Sequence, residues 1–175
     1  MKYIVTFALI WMLCSCNTDY TKGGKQNFDA LHSSANVQLI LPDTIEIYNP
    51  YQVNEYSPYD SSFSYKLFYY ANATCPSCLA VINELGKNSD SLLQKKIQII
   101  VMCFSDNIFE SFKFYSERGD FRQMAFPFYF DNKESLEKLN PKIDFQSEIL
   151  LLDNKNRVIR GYNQSEVPFD KLLTL

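Results

Sequence analysis

The chain carries five cysteines, and two of them, Cys75 and Cys78, stand two residues apart in Thr74-Cys75-Pro76-Ser77-Cys78. That spacing brings two sulfurs within reach of one disulfide. A thiol attacks only as its anion, and the first turn of a helix, with its outward N–H groups and positive dipole end, favours that anion. A second thiol one turn further on can attack the mixed disulfide made by the first and release the partner. On this chemistry Cys75 is the nucleophile and Cys78 the resolving thiol. The competing role for such a pair is an inert structural crosslink. No metal site is expected, since there is no second Cys pair and the only histidine is His32.

Such a pair needs a strand that delivers it and a helix that begins on it. Residues 65–70, Tyr-Lys-Leu-Phe-Tyr-Tyr, are almost continuously apolar and aromatic, as in a strand covered on both faces. Beyond the pair, Cys78, Val81, Ile82 and Leu85 recur at helical spacing up to Gly86. Pro76 suits a first helical turn, where a missing N–H costs nothing. Residues 97–104 form the clearest further strand. Ser105, Asp106 and Asn107 can cap a helix bearing Ile108, Phe109, Phe112 and Tyr115. Residues 126–130 predict a short strand or extended segment and 133–139 a small helix. Residues 148–152 and 157–159 flank Asp153-Asn154-Lys155-Asn156, a hairpin signal, and 169–175 can form a last helix. Upstream, residues 37–41 and 44–48 are β-prone on either side of Pro42-Asp43, which predicts a hairpin or a bend, and 49–64 read as loop.

Length and composition allow one ordinary domain with a short leader. The 175 residues are 46% apolar, with 12 Tyr and 14 Phe, enough to bury a sizeable core. A formal net charge of −3 without any Lys/Arg run gives no footprint for nucleic acid. The first residues predict a targeting segment: Lys2, then an apolar run at 4–13 that is too short to span a bilayer. It ends in Leu13-Cys14-Ser15-Cys16, which resembles a lipobox with Cys16 as the lipidated residue. Residues 1–15 are then a lipoprotein signal peptide, 16–36 a polar flexible tether that includes His32, and 37–175 the folded domain. Lipid on Cys16 would hold the protein to a membrane on the periplasmic side, where a disulfide persists.

Residues 65–159 resemble the thioredoxin superfamily, and within it the membrane-tethered thiol–disulfide oxidoreductases of the TlpA/ResA type. The likeness is carried by Phe68-Tyr69-Tyr70-Ala71-Asn72-Ala73-Thr74-Cys75-Pro76-Ser77-Cys78, the strand ending at Phe104-Ser105, residues 126–131, and the hairpin over 150–159. It implies an α/β fold with a central mixed β-sheet flanked by helices, extended here by N-terminal β structure. It implies thiol–disulfide exchange with exported proteins, no cofactor beyond the redox-active disulfide, and a membrane thiol-relay protein as electron donor. Thr74, Pro76, Gln146 and Ser147 are the substrate-docking positions it implies.

Three positions depart from the family pattern. Thr74 replaces the usual Trp, Tyr69 stands where thioredoxin has a buried acid, and Ser147 falls where a cis-proline supports the partner's chain. Pro127 is the other candidate for that place, but it precedes a helix rather than the final hairpin and belongs elsewhere. Ser147 motivates a second expectation, a binding or scaffold lipoprotein of the same fold with little exchange activity. Peroxide chemistry is not expected, because Phe68 and Asn72 occupy the places of the peroxiredoxin Pro and Thr/Ser. Cys103, inside an apolar strand, is expected to be a small buried hydrophobe. Glu84 is expected to be solvated rather than a proton acceptor.

Overall fold

In a computed structural model the described residues are 36–43, 45–49, 57–104, 109–118, 121, 124, 126–131, 133, 135–145, 148–165 and 167–175, with backbone alone at 111, 115, 116 and 148. The elements in chain order are β1 (Glu46–Tyr48), β2 (Tyr65–Asn72), α1 (Pro76–Gln94), β3 (Ile97–Phe104), α2 (Phe109–Glu117), β4 (Phe128–Phe130), α3 (Leu136–Leu139), β5 (Glu148–Asp153), β6 (Val158–Asn163) and α4 (Phe169–Leu172). The strands form one mixed sheet in the order β1-β4-β3-β2-β5-β6. Strands β2, β3 and β4 run parallel; β5, β6 and β1 are antiparallel to their neighbours.

Both faces of the central strands are covered, which is why their sequences are apolar without a polar alternation. Side chains alternate across the sheet. Leu67, Tyr69 and Ala71 of β2 and Ile99, Val101 and Cys103 of β3 face a core with Ile82, Leu85 and Leu92 of α1 and Phe112 of α2. Phe68 and Tyr70 of β2 and Ile100 and Met102 of β3 face a second core with Leu136 of α3, Ile143 and Phe145.

The second face is completed by the N-terminal segment, and here the hairpin expectation fails while the bend holds. Residues 37–41 do not pair with β1. Gln38 bridges to Arg157 beside β6, with Leu39 N–H donating to the Asn156 carbonyl at 2.8 Å. After the bend at Asp43, β1 pairs with β4 at the opposite edge of the sheet. The intervening chain is a strap, and Leu39 and Leu41 are its buried contacts. Asn140, itself buried, fastens it. The Asn140 amide accepts from Ile40 N–H at 2.7 Å and donates to the Ile40 carbonyl at 2.8 Å.

Helix α1 runs eight residues past Gly86, because Ile82, Leu85, Ser89 and Leu92 continue one buried stripe. A Cβ on Gly86 would lie 3.1 Å from Met124 Cγ, so the glycine lets the helix approach that side chain closely. The two small helices are shorter than expected, with α3 and α4 of four residues each. The Asp131 carboxylate starts α3 by accepting from Leu136 N–H at 2.7 Å and the Ser135 hydroxyl at 2.9 Å. The hairpin turn appears as expected: Asp153 Oδ1 accepts from the N–H groups of Lys155 and Arg157, and Asn156 takes the left-handed conformation at φ 60°. Among the described residues no helix is long and apolar enough to cross a membrane. The expected leader and the tether up to residue 35, including Cys16 and His32, the cap at 105–107 and Ile108 lie outside the described residues, as does the side chain of Tyr115, whereas Asn36, the last residue of the expected tether, already donates its N–H to the Val158 carbonyl at 2.8 Å.

Candidate active site

Strand β2 lies in the middle of the sheet and its C-terminal end aims the chain into α1. Ala73 and Thr74 make a tight turn held by Asn72, whose side-chain oxygen accepts from the Thr74 N–H at 3.0 Å and the Thr74 hydroxyl at 2.9 Å. Cys75 N–H returns to the Asn72 carbonyl at 3.2 Å. Cys75 is then the N-cap of α1 in an extended conformation, with Pro76 in the first turn where its missing N–H leaves nothing unsatisfied. Thr74 and Pro76, two of the expected docking positions, are exposed beside the sulfur. Gln146 and Ser147, the other two, lie outside the described residues, immediately before β5.

Both thiols of the pair are free and half-buried. Cys75 Sγ lies 2.9 Å from the Ser77 hydroxyl. That hydroxyl, the Cys78 N–H, the Cys78 thiol and the Ser77 N–H all favour the Cys75 anion, and they bring its pKa down to about 7 against a slight opposing effect of burial. The N–H groups belong to the first turn of α1, where no intrahelical acceptor exists, so the helix start itself contributes to the shift. Cys78 moves in the opposite direction. Burial pushes its thiol up and the hydrogen bond with Cys75 adds to this, while the Tyr69 hydroxyl and the Asn72 backbone hold it down. Cys75 is therefore the readier of the two thiols to ionise.

Ser77 gives the first expected result. Ser77→Ala removes the strongest of the groups stabilising the anion, so the Cys75 pKa rises. A rise of one unit cuts the thiolate at pH 7 from about one half to about one tenth. The rate of alkylation of Cys75 by iodoacetamide at pH 7 should fall about fivefold, with the pH profile displaced upward and the plateau at high pH retained. An unchanged midpoint would contradict the role of the hydroxyl.

Around this pair the fold places groups to which the sequence assigned no role. Tyr69 is fully buried, and its hydroxyl donates to Gln164 Oε1 at 3.1 Å. Side-chain parity along β2 already puts Tyr69 on the α1 face with Leu67 and Ala71; Gln164 arrives only through the turn after β6. An open groove of about 510 Å³ adjoins the pair, between Ser77, Ala80, Val81 and Glu84 of α1 and the turn at 163–165. Glu84 is exposed and paired with Lys87, as a solvated residue would be. Cys103 is completely buried beneath the pair on β3, and burial pushes its thiol far up, which suits a packing role. Pro127 immediately precedes β4, two strands away from β2. Among the described residues no three His, Cys, Asp or Glu side chains are grouped so as to hold a metal ion.

A parallel β2–α1–β3 unit, an antiparallel β5–β6 pair on the other side of β2 and a closing helix, with two thiols at the start of α1, make this a thioredoxin-like fold. No family model matches the sequence, and no curated protein does. Solved structures do match. The chain is similar to the thioredoxin domain of a thiol-disulfide oxidoreductase from Bacteroides vulgatus, with a TM-score of 0.55 and 18% identity, covering 80% of this chain and 93% of that one. It is similar to StoA from Bacillus subtilis, with a TM-score of 0.51 and 14% identity, covering 63% and 81% respectively. It is also similar to a thioredoxin-like protein from Bacteroides caccae, with a TM-score of 0.52 and 16% identity, covering 83% of this chain and 52% of that one.

Proposed function

We propose that this protein is a thiol–disulfide oxidoreductase that acts on exported proteins, with Cys75 as nucleophile and Cys78 as resolving thiol. The observation that carries the proposal is a free Cys75 thiol at the N-cap of α1, 2.9 Å from the Ser77 hydroxyl and with its pKa lowered to about 7, one turn ahead of a second free thiol, Cys78, whose pKa burial raises. In the reducing direction the Cys75 thiolate attacks a partner disulfide. One partner sulfur leaves and takes up a proton, and the other is held in a mixed disulfide. Cys78 then attacks the Cys75 sulfur, the Cys75–Cys78 bond forms, and the second partner sulfur leaves as a thiol. Two electrons pass to the partner and no organic cofactor takes part.

The similar fold from Bacteroides vulgatus, named as the thioredoxin domain of a thiol-disulfide oxidoreductase, supports the same chemistry. The resemblance to TlpA/ResA-type proteins and the lipobox-like Leu13-Cys14-Ser15-Cys16 extend the proposal. In it the protein is tethered by lipid on Cys16 to the periplasmic face of a bacterial membrane and is re-reduced there by a membrane thiol-relay protein. The reduced protein should accelerate the reduction of insulin disulfides by dithiothreitol, and Cys75→Ser should return the rate to the uncatalysed background. Equal rates with and without the wild-type protein would reject the proposal in favour of a scaffold of the same fold. Incorporation of labelled palmitate into wild-type protein but not Cys16→Ala tests the anchor.

A further inference from the structure

Tyr69 stands in the strand that delivers the nucleophile, and its hydroxyl reaches the far wall of the groove. Register places Tyr69 opposite Ile149 of β5 and Ile149 opposite Tyr162 of β6, so the three form one row across the sheet. The Tyr69 side chain is fully buried, and its hydroxyl passes β5 to donate to Gln164 Oε1 at 3.1 Å, two residues beyond that row. A buried phenol needs an acceptor, and this bond supplies one while it fixes Gln164. Gln164 sits in a turn held as a unit, in which Asn163 Oδ1 accepts from the Ser165 N–H at 3.0 Å and the Ser165 hydroxyl at 2.9 Å. That turn faces Ser77, Ala80 and Val81 of α1 across the groove of about 510 Å³. One hydrogen bond therefore ties the strand leading to Cys75 to the wall opposite the helix that begins on Cys75.

The groove opens beside the nucleophile, since Ser77 lines it and the Ser77 hydroxyl lies 2.9 Å from Cys75 Sγ. A partner cysteine joined to Cys75 has its Cα about 5.5–6 Å from that of Cys75. An extended chain advances about 3.3–3.6 Å per residue, so the neighbours of that cysteine fall within reach of the groove. The α1 side is apolar at Ala80 and Val81, and the turn side is polar at 163–165. Such a cleft suits an apolar side chain carried on a polar main chain. We propose that this groove seats an apolar side chain flanking the partner's reacting cysteine, and that Tyr69 is the positioning residue that holds the Gln164 wall in place. Tyr69 touches no substrate in this role. The groove speeds the first attack on cysteines with apolar neighbours, and the selectivity lies in the partner segment rather than in the thiol chemistry. The inference rests on the Cys75–Cys78 exchange proposed above.

The test compares two symmetrical, uncharged pentapeptide disulfides, one with leucine and one with alanine on both sides of its cysteine. The second-order rate constant for oxidation of the reduced full chain by each is followed by acid quenching and mass spectrometry. A change in the thiols themselves affects both peptides alike, so the leucine-to-alanine ratio reports the seat alone. Wild type should favour leucine about tenfold. Ala80→Trp, at an exposed position on the apolar side of the groove, should bring the ratio close to unity. Tyr69→Phe keeps the ring and removes the donor, and it should lower the ratio about threefold. Gln164→Ala should do the same, and the double variant should fall no further. Gln164→Glu keeps an oxygen for the phenol and should hold the ratio; with Gln164→Ala it decides the positioning role should Tyr69→Phe fail to fold. Equal rates for the two peptides in wild type, or a wild-type ratio in Ala80→Trp, overturn the seat and leave the exchange reaction intact. An unchanged ratio in a folded Tyr69→Phe or in Gln164→Ala, or an equal loss in Gln164→Glu, overturns the positioning role. A wild-type protein that reacts with neither peptide overturns the exchange reaction and this inference with it.

Discussion

Cys78→Ser is expected to convert the protein from an exchange catalyst into a trap. Cys75 keeps the Ser77 hydroxyl and the N–H of residue 78, the two largest of the effects that lower its pKa, so the first attack proceeds. The serine oxygen cannot take the mixed disulfide apart. Release must then await an external thiol, and resolution should slow by two orders of magnitude or more, because a thiol at about 1 mM replaces a neighbour of far higher effective molarity. Partner proteins should accumulate as adducts on Cys75 that dithiothreitol releases and that Cys75→Ser abolishes. Absence of any reducible adduct on the serine variant would show that Cys75 does not attack disulfides.

Phe112→Ala is expected to act on the other property, stability, and to spare the chemistry. The ring is fully buried at the centre of an aromatic cluster, 4.7 Å from Phe128, 5.4 Å from Phe130, 5.7 Å from Phe121 and 6.1 Å from Tyr48, measured between ring centroids. It joins α2 to the β4 side of the sheet and to the edge strand β1. Removing a buried Phe typically costs about 3–5 kcal/mol, a large part of the 5–15 kcal/mol that holds an ordinary domain together. Denaturant unfolding should show a loss in that range, while the pH midpoint for Cys75 alkylation in the folded variant stays where it was. A loss below about 1 kcal/mol would mean that the cluster collapses around the missing ring.

The parts of the fold that rest on local pattern were legible in the sequence. The apolar runs of β2 and β3, the proline behind Cys75 and the Asp-Asn-Lys-Asn turn are local signals, and each element stands where its pattern put it. What depended on distant partners was not. Residues 37–41 and 44–48 carry equal β signals across Pro42-Asp43, and nothing in that string says that one will reach β6 and the other β4. Gly86 and the polar run Asn88-Ser89-Asp90-Ser91 hid the second half of α1, whose burial depends on Ser89 bonding back to the Gly86 carbonyl at 2.7 Å and on Leu92 reaching the core. In the site, the thiol spacing and the place of Tyr69 could be read directly. The contact between Tyr69 and Gln164 spans 95 residues and leaves no trace in local sequence.

A redox titration of the full chain in glutathione buffers, with the Cys75–Cys78 bond located by mass spectrometry, tests the central claim most directly. A poised exchange pair should interconvert fully between dithiol and disulfide with a midpoint between about −270 and −120 mV, the span of exchanging pairs on this fold. A midpoint below about −300 mV, where a disulfide behaves as a permanent crosslink, or no bond between the two sulfurs at any poise, would contradict it.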